Sequence, residues 1–216
     1  MISADEQLAL AYAPATLRAD CAALLGFDAA LGQAFKATGE VGLIAIRLAW
    51  WRDQLGLKAT REPIISALNI VMARRDVSAD GLAVIIDGWA VLLDDPPYSD
   101  RQLEDYARMR GGTLYEVAAR IAAAGDEPAC QSAGAGWALN DFARNCSDRQ
   151  TADRAFTLAR EHLAGGVAAA LPRSMLPFGI MARFAQSDSL RPADQQRRAG
   201  SPMRAIEAIG FALFRR

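Results

Sequence analysis

Helix-starting signals recur along this chain, and no strand signal competes with them. Ser3 with Glu6, and Ser99 with Gln102, each form a capping box. In that pattern a hydroxyl takes an orphan N–H of the first turn, and the longer side chain reaches back to the cap. Thr151 and Ser201 are further N-cap candidates, the second followed by Pro202 at the first helical position. Between these signals apolar residues return with a helical period. They predict helices over about 15–31, 40–56, 62–75, 79–93, 101–124, 129–146, 152–171, 173–186 and 202–214. Loops are expected at Lys58–Arg61, Asp94–Ser99, Gly125–Pro128 and Ser187–Ser201. The 45 Ala among 216 residues favour helices that pack closely. Small residues concentrate in Ala118–Ala124, Ala133–Ala138 and Gly165–Ala170, where backbones can approach. The expectation is an all-α single domain over 1–216.

Charge and cysteines narrow the function classes. With 24 basic against 25 acidic side chains, the net charge is −1, which argues against counterion-driven nucleic-acid binding. Cys21, Cys130 and Cys146 are an odd number with no CxxC pair, as expected of buried thiols in a reducing compartment. Met1–Glu6 carries acids where a signal peptide carries bases. The least charged stretch, Leu163–Met181, is broken by Pro172, Arg173 and Pro177, so no membrane span is expected. These features predict a cytoplasmic protein.

The stretch Arg47-Leu48-Ala49-Trp50-Trp51-Arg52-Asp53-Gln54-Leu55 is the most distinctive. Adjacent Trp residues sit about 100° apart on a helix, so at most one points squarely inward. The stretch reads either as an anchor surface with guanidinium groups for an anion or partner, or as a core helix with an ion pair at its rim. Asp94 to Asp100 resembles an aspartate-rich motif, but Pro96-Pro97 places it in a loop. His162 is the sole histidine and lies near no G-x-S-x-G elbow, so a surface or capping role is expected. The C-terminal segment from Leu190 holds six Arg against two acids. Ser201–Arg216 lines up Ile206, Ile209, Gly210 and Leu213, with Phe211 and Phe214 beside them and Arg215-Arg216 at the end. That helix either docks on the core or lies on an anionic membrane or partner groove.

RLAWWRDQL, preceded by LALAYAP and followed by a helix from Leu103 to Ile121, resembles the squalene/phytoene synthase family. LEDYARMRGGTLY (Leu103–Tyr115) is similar to the family's Y-C-x-x-V-A-G-x-V-G helix through Tyr106, Gly112 and Leu114. GAGWALNDFARN (Gly134–Asn145) is similar to its G-x-A-x-Q-L-x-N-I-x-R-D helix through Gly134, Leu139 and Arg144. SMLPFGIMARF (Ser174–Phe184) also resembles a segment late in bacterial members. The resemblance implies an orthogonal helical bundle of the isoprenoid synthase type, shortened to 216 residues. It also implies head-to-head joining of prenyl diphosphates on Mg²⁺ held by two Asp-rich helical motifs.

The chain departs from the family where that chemistry resides. Hard Mg²⁺ needs carboxylate oxygens to bridge it to diphosphates. With Phe27 aligned to the Phe of F-x-R-x-x-D-D-x-x-D, Ala29 takes the Arg position, and Gly32, Gln33 and Lys36 take the three Asp positions. In the second motif, R-D-V-x-E-D meets Arg144-Asn145-Cys146-Ser147-Asp148-Arg149. Asp141, Asn145 and Asp148 are spaced as one remaining oxygen-lined face. No metal site or cofactor is expected, with Mg²⁺ required only by an atypical transferase using Asp141 and Asp148. Some family relatives without the Asp motifs are assembly factors for respiratory complex I, and their RLAWWRDQL-like stretch is similar to this one. The resemblance thus implies a non-catalytic binding or assembly factor. Its partner would be a respiratory-complex subunit or a prenyl or lipid ligand, contacted by Arg47, Trp50, Trp51, Arg52, Tyr106 and Arg144. The alternatives are that transferase, and an adaptor at the inner face of a membrane using 201–216.

Overall fold

The computed structural model describes residues 2–36, 40–57, 59–94, 96–125, 128–191 and 197–214. Lys58, Asp95, residues 126–127 and Arg215–Arg216, which the sequence places in loops and at the C-terminal end, lie outside these. Both expected capping boxes form. Ser3 opens α1 (Ala4–Leu10), a helix the apolar period alone does not announce, and Ser99 opens α6 (Asp100–Tyr106). Helix α2 (Arg18–Lys36) runs further than expected at its C-terminal end. It is followed by α3 (Val41–Gln54), α4 (Pro63–Arg74) and α5 (Ala79–Ala90). After α6 the chain passes through a π-helical stretch, Ala107–Gly112, into α7 (Thr113–Ile121). The second half holds α8 (Pro128–Asn145), α9 (Arg149–His162), the short α10 (Val167–Ala170), α11 (Leu176–Ser189) and α12 (Pro202–Phe214). No strand occurs among the described residues, as the all-α reading expects.

Helix α8 is the axis of the bundle. It packs against α7, α9, α11 and the π-helical stretch. A helix surrounded in this way must be apolar or small on every side, and Ala133, Gly134, Ala135, Gly136 and Ala138 are all buried. Gly134 faces Gly111 of the π-helical stretch so closely that a Cβ on either would overlap the other's carbonyl. The small-residue cluster at Ala133–Ala138 is therefore close packing, as expected. The cluster at Gly165–Ala170 is different. Gly165 and Gly166 adopt φ of 68° and 76°, the left-handed conformation that ends helix continuity, so the expected helix over 152–171 breaks after His162.

Two cap expectations are corrected. Asp148, not Thr151, caps α9, its carboxylate accepting the Thr151 N–H at 2.8 Å. Ser201 precedes α12, but its buried Oγ has no hydrogen-bond partner, so it caps nothing. Leu24, Leu31, Leu68, Leu82, Ile85, Leu114 and Leu139, each wholly buried, belong to one hydrophobic cluster that joins the two halves of the chain. Among the described residues, no helix is long and apolar enough to cross a membrane.

Candidate functional site

A cavity of about 530 Å³ opens between α2 and α8, bounded also by α5, α6, α11 and the start of α12. The two helices that the family resemblance assigns to metal motifs thus face each other across it. Gly32, Gln33 and Lys36 line it from α2, and Asp141, Arg144 and Asn145 line it from α8. The ammonium of Lys36 donates to Asn145 Oδ1 at 3.4 Å, so two positions that the resemblance aligns with motif Asp residues meet as a cation and an amide. Asn145 in turn donates to the Asp141 carbonyl at 2.8 Å.

The centre of the wall is Arg110. Its side chain is 3% exposed, and it forms a forked pair with the 2% exposed Asp28 of α2, through Nε at 2.9 Å and Nη2 at 2.7 Å. Its Nη1 reaches Asp141 of α8 at 2.8 Å and also donates to the Tyr106 hydroxyl. The guanidinium lies over Trp89 at 4.1 Å and Trp137 at 4.9 Å from the ring centroids. Trp89 completes the arrangement by donating its Nε1–H to Asp28 at 2.8 Å. Burial works against the charge of Arg110, but Asp28, Tyr106 and Asp141 together hold its pKa well above the ordinary value. Burial pushes the Tyr106 phenol upward, with Arg110 partly offsetting it. The site is thus a fixed cation bridging two carboxylates on opposite walls.

Local structure explains how Arg110 gets there. The π-helical stretch adds a residue to the turn, and such bulges re-aim side chains at functional sites. Gly88 of α5 lies against the Arg110 backbone, and a Cβ there would sit 2.9 Å from Arg110 Cα. At the far end of the cavity Asp188 of α11, 1% exposed, is shared by Arg144 and Arg204. Asn140 of α8 is buried in the lining with its Oδ1 unpartnered by protein.

The remaining expected residues divide clearly. Tyr106 is in the wall, edge-on to Trp89 and Phe142. Asp148 and Arg149 are outside the lining, which corrects the oxygen-lined face expected of Asp141, Asn145 and Asp148. Helix α8 ends at Asn145, so the i+7 spacing no longer holds at Asp148, which caps α9 instead. Arg149 is exposed beside Asp153 at 3.9 Å. Trp51 is buried edge-on to Phe27, whereas Trp50 is 43% exposed. Arg47 donates to the Ala34 carbonyl at 3.4 Å, and Arg52 pairs with Asp87 at the surface. These two arginines are rim ties between helices, separate from the cavity. His162 pairs with Glu104 at 2.8 Å, away from the cavity lining. Asp28, Arg110, Asp188 and Arg204 were not singled out from sequence.

Residues 3–187 match the family model described as squalene/phytoene synthase. The chain belongs to the squalene/phytoene synthase family. Its fold is similar to that of a crystal structure described as a dehydrosqualene synthase in complex with ligand, with a TM-score of 0.72 and 13% sequence identity. That alignment covers 97% of this chain and 90% of the other. No curated protein matches this sequence. Within the family fold, the cavity of this member is poorly suited to Mg²⁺. Among the described residues, no three His, Cys, Asp or Glu side chains are grouped to hold a metal. Of the acids in the lining, Asp28 and Asp141 are already engaged by Arg110, and Asp188 by Arg144 and Arg204.

Proposed function

We propose that this squalene/phytoene synthase-family protein is a non-catalytic binding or assembly factor rather than a diphosphate-joining enzyme. The observation that carries this reading is Arg110. Its positive charge ties Asp28 on α2 to Asp141 on α8, where a Mg²⁺–diphosphate cluster would need free carboxylates on both walls. Lys36 adds a second cation against Asn145. The cavity keeps an apolar side, Trp89, Phe142, Met181 and Phe184, and the unpartnered oxygen of Asn140, so it suits a small prenyl or lipid ligand held without metal.

A protein partner has a separate place to bind. Leu43, Ile46 and Trp50 of α3 are between 43% and 66% exposed and follow i, i+3, i+7 spacing. They fit an apolar helix or groove, and the family resemblance nominates a respiratory-complex subunit. Calorimetry with a non-hydrolysable farnesyl diphosphate analogue tests the reading. Binding should be weak and unchanged by Mg²⁺. Tight binding that appears only with Mg²⁺ would restore the transferase alternative. For the assembly role, cells lacking the protein should lose complex I activity, recovered by the wild-type chain and not by Trp50→Glu.

A further inference from the structure

Helix α12 turns both of its charges inward. Its sequence PMRAIEAIGFALF contains two charged residues, Arg204 and Glu207, and both face the protein. Arg204 is wholly buried, paired with Asp188 and, at 3.2 Å, with Asp5 of α1. Its guanidinium lies 4.6 Å from the Phe184 ring centroid. Glu207, with its side chain 9% exposed, receives Arg197, Arg204 and Arg183. The docking expected of a last helix therefore occurs, through these ions together with the buried Ala208 and Phe211.

The outward face is correspondingly apolar. Met203, Ile206, Ile209, Leu213 and Phe214 are between 48% and 70% exposed and share one side, about 140° wide at 100° per residue. Ordinary surface helices bury these residue types and expose the charged ones. No side chain on this face carries a hydrogen-bonding group.

We propose that this face lies on an anionic lipid surface. A protein interface carries a polar rim and about one hydrogen bond per 100–200 Å², for which this face has no donors or acceptors. Charge complementarity supplies the sign. Arg198, just before the helix, is exposed and makes no ion pair among the described residues. The sequence beyond the helix continues with Arg215 and Arg216. The one acid on α12, Glu207, is enclosed by arginines and opposes no headgroup. A helix of 13 residues is too short to cross a bilayer, so it lies in the interfacial plane.

Flotation of the full chain with phosphatidylcholine vesicles, with and without phosphatidylglycerol, tests this. The wild-type chain should float with the anionic vesicles, less so as salt rises. Ile206→Asp with Leu213→Asp should lower the partition coefficient about tenfold or more while leaving the thermal midpoint unchanged, because both side chains are already exposed. Arg198→Glu should weaken binding to anionic vesicles and not to neutral ones. The proposal is overturned if the wild-type chain stays unbound, or if the double variant floats as well as wild type. It is equally overturned if sedimentation shows a dimer that the double variant converts to monomer without any flotation, which would make the face a contact between two copies.

Discussion

Arg110→Met removes the buried cation while keeping most of the side chain's length. Asp28, 2% exposed, then retains only the neutral Trp89 N–H as a polar partner. Breaking one side of a buried ion pair costs about 3–5 kcal/mol, since the surviving charge stays desolvated. For a chain of this size that lowers the thermal midpoint by roughly 6–20 °C, at about 2–4 °C per kcal/mol. Asp28→Asn neutralises the stranded charge and keeps an oxygen for Trp89. In the Arg110→Met background it should therefore recover part of the loss, giving a coupling of at least about 2 kcal/mol in a double-mutant cycle. The same cycle with Asp141→Asn should give under about 1 kcal/mol, because the Asp141 side chain is 38% exposed and water can take over. Urea unfolding followed by tryptophan fluorescence reads all of these, with Trp89 and Trp137 flanking the perturbed group. Additivity of Arg110→Met and Asp28→Asn within about 0.5 kcal/mol would refute the reasoning.

Other perturbations follow from the same geometry. In Arg110→Met the freed Asp28 and Asp141 should acquire weak affinity for Mg²⁺. A concentration ten times the dissociation constant should then return about 1.4 kcal/mol in a thermal melt, with no shift for wild type. Gly111→Ala should destabilise by about 1–3 kcal/mol or more in urea unfolding, because its Cβ would overlap the Gly134 backbone, which cannot rotate aside. Trp51→Ala should cost about 3–5 kcal/mol and Trp50→Ala less than about 0.5 kcal/mol, a contrast that calorimetric melts resolve. Hydrogen bonding from the Thr151 side chain, and then from its backbone N–H, holds the Asp148 carboxyl below its ordinary 3.8. Its capping contribution is thus present above 3.8 and lost as pH falls through the lowered native value, and Asp148→Asn should flatten that acid limb in circular dichroism.

Much of the fold was legible because its signals are local. The boxes at Ser3 and Ser99 need only residues three apart, and α12 begins and ends at 202 and 214 as its period indicates. The break after His162 was visible only as Gly165-Gly166, which reads equally as small-residue packing until φ is known. The site was half legible. Positions 32, 33, 36, 141 and 145 do line one cavity, because helical spacing and motif order preserve a face. The Asp28–Arg110 pair was hidden because neither residue announces its partner, which is 82 residues away in the chain. Asp28 between Leu24 and Leu31 was nonetheless a readable anomaly, a carboxylate on the buried side of α2. Arg110 was harder, since the π-helical stretch shifts it from the register that a 3.6-residue period assigns.

That π-helical stretch makes the occupancy of the cavity a question of chain length. Its i→i+5 bonding accommodates one residue more than an α-helical turn. Excising one residue of it, Arg108 or Met109, would let Asp100–Ile121 run as a continuous α-helix with the turns on either side still in phase, because the bulge had absorbed the extra residue. The helices flanking the stretch would keep their packing, and the re-aiming would fall on the residues inside it, Arg110 among them. A single-codon deletion would therefore act on the cation and leave the surrounding bundle in place. A cavity walled by its own arginine and one relieved of it would differ by one residue within the same fold.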